Sequence, residues 1–125
     1  MEVLSSRVLL RPVDFDRSVA FYRDTLGLAI FRDFGAGIVF FLGGGFLEVS
    51  GRSEEPTGPN IRLWLQVRDV DATRDELAGR GVPILREPVT EPWGLREMWI
   101  ADPDGVRIAV IEVPEDHPLR RRGPS

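Results

Sequence analysis

Cysteine is absent from this 125-residue chain, and histidine occurs once, at position 117. The first absence excludes a disulfide framework and any thiolate chemistry. The second excludes a Ser-His-Asp or Cys-His relay inside the domain, because His117 follows the last apolar segment. Positive charge is also short. The 16 basic residues stand against 20 acidic ones, a formal net charge of -4, and the acidic residues are interleaved throughout. Phosphate contacts need clustered basic side chains, so nucleic acid is not an expected partner. No apolar run approaches the roughly 20 residues of a membrane span, and Met1 to Arg7 carry no basic stretch leading into an apolar one. No membrane partner is expected, and a cytoplasmic location is.

With 42% hydrophobic and 29% charged residues, the chain has enough apolar material for one core. One domain is expected over residues 1–115. The organising stretch is Glu91 to Glu112, read as strands Leu95 to Ala101 and Val106 to Val113 joined by Asp102-Pro103-Asp104-Gly105. Proline presets φ and glycine accepts φ > 0, so the chain reverses there as a hairpin, with Asp102 and Asp104 as turn formers. On its second strand, Ile108 and Val110 share one face and Arg107, Ala109 and Ile111 the other.

Taken in order, Val8 to Pro12 opens as a strand, with Arg7, Leu9 and Arg11 on one face. Asp14 or Asp16 caps a helix in which Phe15, Val19, Tyr22 and Leu26 fall on one side, and Gly27 stops it. Phe21 and Tyr22 are expected in the core. Strands follow at Leu28 to Arg32, Ile38 to Leu42 and Phe46 to Ser50, the last two joined by the turn Gly43-Gly44-Gly45. After the polar linker Gly51 to Pro59 the order repeats: a strand Ile61 to Val67, a helix capped by Asp69 or Asp71 and ended by Gly81, a strand Val82 to Arg86, and the hairpin. A shift of 55 positions lays Arg7 on Arg62, Leu10 on Leu65 and Asp14 on Asp69. The fold class is therefore α+β: two tandem β-α-β-β-β modules, residues 5–51 and 60–113, forming a curved mixed sheet around a cavity with helices outside. Residues 114–125, with Arg120-Arg121-Arg122, are expected to be a mobile tail.

Four stretches in this order carry a resemblance: Asp16 to Leu28, Glu48 within an apolar strand, Val67-Arg68-Asp69-Val70-Asp71, and Trp93-Gly94 with Asp102-Pro103-Asp104-Gly105. They resemble the vicinal oxygen chelate superfamily, which contains glyoxalase I, extradiol dioxygenases and the fosfomycin- and bleomycin-resistance proteins. Pro92 to Glu97 is most similar to the bleomycin-resistance branch. The resemblance implies a homodimer, and in the family's enzymes a divalent metal held from four strands. Carried across, those four positions are Arg7, Glu48, Arg62 and Ala109. Of these only Glu48 is a metal ligand by type, and a guanidinium repels a cation. No metal and no cofactor are expected.

In the place of a metal stand two arginines and a glutamate. Either Arg7 and Arg62 hold an anionic group of a ligand, or Arg7, Glu48 and Arg62 only neutralise one another. Trp64 shares the face of Arg62, Trp99 that of Glu97, and Trp93 lies on a loop. Each indole is a stacking surface for a ligand or a packed core group. The expected function is a metal-free binder of a small molecule, sequestering an antibiotic or other natural product. The alternative is a metal-independent isomerase, lyase or cyclase, with Glu48 moving a proton and Arg7 and Arg62 stabilising an anion. A metal-dependent glyoxalase or dioxygenase is the third reading.

Overall fold

Asp14 and Asp69 stand where the sequence places helix starts. Each side chain accepts the backbone N–H three residues on, from Arg17 and Ala72, at 3.0 Å, a cap that contributes about 1 kcal/mol. A computed structural model describes residues 1–120. The Arg121 and Arg122 part of the basic tail lies outside the described residues. The chain divides into two compact units, residues 1–61 with 102–106, and residues 62–101 with the chain from 107 onward.

In module one, β1 (Val8–Leu10), α1 (Phe15–Ala20), β2 (Ile30–Asp33), β3 (Gly37–Leu42) and β4 (Gly45–Ser50) form a sheet of order β1-β4-β3-β2 with α1 packed on β4. The last helical turn is wider than the sequence suggests. Over Phe21–Thr25 the bonding lengthens, and Leu26 N–H donates to Phe21 O five residues back at 2.8 Å. Leu28 N–H is still held by Tyr22 O at 2.9 Å, so β2 begins at Ile30 and not at Leu28. Leu42 pairs with Gly45 across a two-residue turn. The core is Leu10, Val19, Tyr22, Ile38, Phe40, Leu47 and Val49, all buried. Burying such side chains contributes roughly 1.5–3 kcal/mol each.

Module two repeats the plan with β5 (Arg62–Val67), α2 (Val70–Gly79), β6 (Arg86–Thr90), β7 (Arg96–Ala101) and β8 (Arg107–Glu112), in the order β5-β8-β7-β6. Its helix packs on β6, β7 and β8. The hydrogen-bonded ladders thus make two four-stranded mixed sheets, one per module. Pairing registers repeat residue for residue. Val8, Leu9 and Leu10 lie beside Leu47, Glu48 and Val49, and Leu63, Trp64 and Leu65 lie beside Ile108, Ala109 and Val110, both parallel.

One strand is displaced from its expected place. Val82 to Arg86 alternates like a strand, but Val82 N–H donates to Leu77 O at the end of α2, and Pro83 has no N–H to give. The ladder therefore runs over Arg86–Thr90, with a bulge between Arg86 and Val89.

Candidate functional site

Pleat alternation separates Glu48 and Ser50 from Leu47 and Val49 on β4. Phe40, the partner of Leu47, meets the Tyr22 ring of the helical segment, so Glu48 lies on the face away from the helix. Arg7, just before β1, donates from Nη1 to Glu48 Oε1 at 2.9 Å, and Ser50 Oγ donates to Oε2 at 2.8 Å. The Arg7 side chain is 43% exposed and that of Glu48 13%. Both carboxylate oxygens are thus engaged by a guanidinium and a hydroxyl. On β2, β3 and β4 of the same sheet, Phe31, Phe41 and Phe46 cluster with ring centroids 4.8–5.7 Å apart. Phe31 and Phe41 are exposed.

The turn between β7 and β8 belongs to the first unit, and it carries more than turn chemistry. Asp102 Oδ1 accepts the N–H groups of Asp104 and Val106, and its Oδ2 accepts the Tyr22 hydroxyl at 2.6 Å. Gly105, at φ 86°, gives the left-handed step that brings Val106 N–H back to this carboxylate. Asp104 accepts Val13 N–H, Thr57 N–H and Thr57 Oγ1 at 2.8–3.0 Å. Burial pushes the Tyr22 phenol far up, and the carboxylate of Asp102 beside it adds to the effect. Burial also raises Asp102, against the hydrogen bonds it accepts from Tyr22, Val106 and Asp104. For Asp104 burial acts upward too, yet the bonds from Thr57 and Val13 outweigh it and hold the carboxyl below its ordinary value. This network ties three separated segments together. Sequence reading saw only the turn.

In module two a cross-strand row runs from Trp64 on β5 to Ala109 on β8, Trp99 on β7 and Arg86 on β6. Trp64 is 51% exposed. Trp99 is half-buried and packs against Leu95, Ala109, Ile111 and Val113. Two guanidinium carbons lie over its ring, Arg86 Cζ at 3.7 Å from the centroid and Arg62 Cζ at 5.0 Å. Its Nε1–H points to Glu97 Oε1 at 3.4 Å. Arg86 is ion-paired with Glu91, and its Nε is buried with no hydrogen-bond partner among the described residues. Sequence reading missed Arg86. Its place, three strands from Trp64, depends on the pairing of β6 with β7 and was hidden by the displaced start of β6.

Trp93 lies elsewhere on module two, 59% exposed on the loop before β7. Its carbonyl accepts from His117 Nε2 at 3.0 Å, while His117 Nδ1 accepts Leu119 N–H. The imidazole sits over Gly94, whose φ of 93° and missing Cβ leave room for it. His117 therefore holds a loop, and among the described residues no acidic side chain is grouped with it as a metal ligand.

A family model, the Glyoxalase/Bleomycin resistance protein/Dioxygenase superfamily, matches residues 5–110. The chain belongs to that superfamily. A "Probable lactoylglutathione lyase" of Synechocystis sp. is 29% identical over 119 residues, covering 83% of this chain and 91% of that one. Among solved structures, a protein of unknown function from Agrobacterium tumefaciens is 30% identical with a TM-score of 0.74, covering 91% of this chain and 95% of the other. A glyoxalase/bleomycin resistance protein/dioxygenase from Nocardioides superposes with a TM-score of 0.79 at 20% identity, over 98% and 91% of the two chains, a likeness of fold.

Membership in the family raises the question of its metal. At the four positions the resemblance assigns, Arg7 and Arg62 offer only donors, Ala109 offers no polar atom, and Glu48 is bonded at both oxygens. These residues do not fit a divalent ion, which needs several carboxylate or imidazole ligands. Among the described residues one carboxylate group lies elsewhere: Asp69, Asp71 and Glu112 place ligand atoms within 4.8 Å of one another. Each already has work at the start of α2. Asp69 caps Ala72, Glu112 accepts Val70 N–H, and Asp71 is bidentate to Arg96.

Proposed function

We propose that the protein binds an organic small molecule without a metal at the family positions, sequestering an antibiotic or other natural product. The observation that carries this reading is the donor set: arginine at two of the four positions, alanine at a third, and a glutamate already engaged by Arg7 and Ser50. Arg7, Arg62, Trp64, Trp93 and Trp99, with Glu48, are the side chains proposed to meet the ligand. The likeness of Pro92 to Glu97 to the bleomycin-resistance branch supports the choice of ligand class. Calorimetry and tryptophan quenching against aromatic and glycopeptide-like antibiotics test it. A micromolar binder, with protection of cells expressing the protein, is the expected outcome; no binder and no protection would sink the reading.

The protein is proposed to act as a cytoplasmic homodimer. The exposed rings of Phe31 and Phe41 support a partner that covers them, and among the described residues no helix is long and apolar enough to cross a membrane. Light scattering should give twice the chain mass, and Phe41→Glu should lower it to that of a monomer.

Two readings as an enzyme have their own support. The low exposure of Glu48 beside a guanidinium favours a metal-independent isomerase, lyase or cyclase, in which Glu48 transfers a proton and Arg7 and Arg62 hold an anion. Glu48→Gln would then abolish turnover while ligand affinity stays within about twofold. The name of the Synechocystis relative favours a metal-dependent glyoxalase. Lactoylglutathione lyase activity on adding a divalent ion would establish that reading in place of ours.

A further inference from the structure

All 16 basic residues of this chain are arginines, and in module two most are neutralised. Arg74, Arg80, Arg86 and Arg96 pair with Glu87, Glu76, Glu91 and Asp71. Among the described residues Arg62, Arg68 and Arg107 have no such pair. Arg62 and Arg107 are direct register partners on β5 and β8, on the face that also carries Trp64, Ala109 and Trp99. Neither has a carboxylate partner within the module among the described residues. Like charges held side by side on neighbouring strands repel, so two adjacent guanidinium groups without a counter-charge leave unbalanced positive charge on this face.

The geometry points to an oxyanion site at Arg62 and Arg107, with Trp64 beside it as a stacking surface; we infer that the guest is an aromatic molecule bearing a carboxylate or phosphate. A guanidinium holds either group through paired N–H bonds, and two together match the charge of a phosphate monoester. Arg62 is steadied over the Trp99 ring at 5.0 Å, which orders the side chain before a ligand arrives. Trp64 is two residues beyond Arg62 on the same strand and face, roughly 7 Å along it. That spacing suits an acidic group attached at the edge of a flat ring system. A cationic guest is repelled. The inference rests on the proposed metal-free binding of an organic molecule, and it commits that reading to a charge sign.

The test uses four probes of one shape: 2-naphthoate, 2-naphthyl phosphate, neutral methyl 2-naphthoate and cationic 2-naphthylmethylammonium, each titrated into the whole protein by calorimetry. The two anions are expected to bind at least about tenfold tighter than the ester, and the cation more weakly than the ester. The ratio between the two anions tells carboxylate from phosphate. Arg62→Gln and Arg107→Gln should each remove most of the anion preference, and in Arg107→Gln ester affinity should stay within about twofold. Without ligand, Arg107→Gln should melt no lower than the wild type, which separates a lost site from a lost fold. Binding of the ester with no anion preference, or a preference that survives both substitutions, overturns this inference and leaves the proposed function standing. Failure of all four probes overturns the inference together with the reading of this face as a ligand surface.

Discussion

Modules one and two have the same element order, the same strand order and the same pairing register, but the faces away from their helices carry different chemistry. At one register position module one has Leu9 beside Glu48, and module two has Trp64 beside Ala109. The first face is built on an ion pair, Arg7 to Glu48. The second is built on Trp64 and Trp99, with the guanidinium groups of Arg62 and Arg86 over the Trp99 ring. The helix-facing sides, in contrast, are apolar in both, with Ile38, Phe40, Leu47 and Val49 buried in one and Met98, Ile100, Ile108 and Val110 in the other. Backbone pairing and an apolar helix-side core are common to both modules, while the opposite faces differ in chemistry.

The comparison is tested most strongly in the core. Leu47 and Ile108 occupy equivalent register positions and both are almost fully buried. Leu47→Ala and Ile108→Ala should each lower stability by about 2–5 kcal/mol in urea unfolding. A loss confined to one module would break the equivalence.

The Asp102 and Asp104 anchor should come next. Tyr22→Phe leaves Asp102 Oδ2 without its donor and should cost about 1–3 kcal/mol. Asp104→Asn should cost a similar amount at neutral pH. Because the folded Asp104 carboxyl titrates below its ordinary value, its stabilisation is present above about pH 4 and is lost as pH falls through the folded value. The gap between wild type and Asp104→Asn should therefore close on acidification. A gap constant down to pH 2 would remove the carboxylate from the account.

The smallest effects fall on the outer faces, and their signs differ. Glu48→Gln breaks an ion pair whose arginine is well exposed, so the expected loss is about 0–1 kcal/mol. Arg107→Gln relieves a repulsion and should leave stability equal or a few tenths of a kcal/mol higher. Equal losses at both positions would mean that the two faces are less different than their chemistry implies.

Much of this fold was legible in the sequence because its signals are local. Asp14 and Asp69 cap helices, Gly27 and Gly81 follow them, and the repeated order of elements fixes the modules. The start of β6 was not legible. Val82, Ile84 and Arg86 alternate correctly, and only the tertiary bond from Val82 to Leu77 and the bulge before Val89 move the strand to Arg86–Thr90. The faces of Arg62, Trp64 and Trp99 followed from alternation along single strands. Arg86 over Trp99 and Arg107 beside Arg62 did not, since both depend on which strands pair and in what register. Asp102 was recognised as a turn former, but its bond to Tyr22 spans 80 residues and has no local signature.

The metal content of freshly purified protein, compared between wild type and Glu48→Ala, tests the central claim most directly. A donor set of two arginines, one alanine and one engaged glutamate predicts far less than one equivalent of any divalent metal per chain, unchanged by the substitution. One equivalent of zinc, iron, manganese or nickel in the wild type, lost in Glu48→Ala, would contradict it.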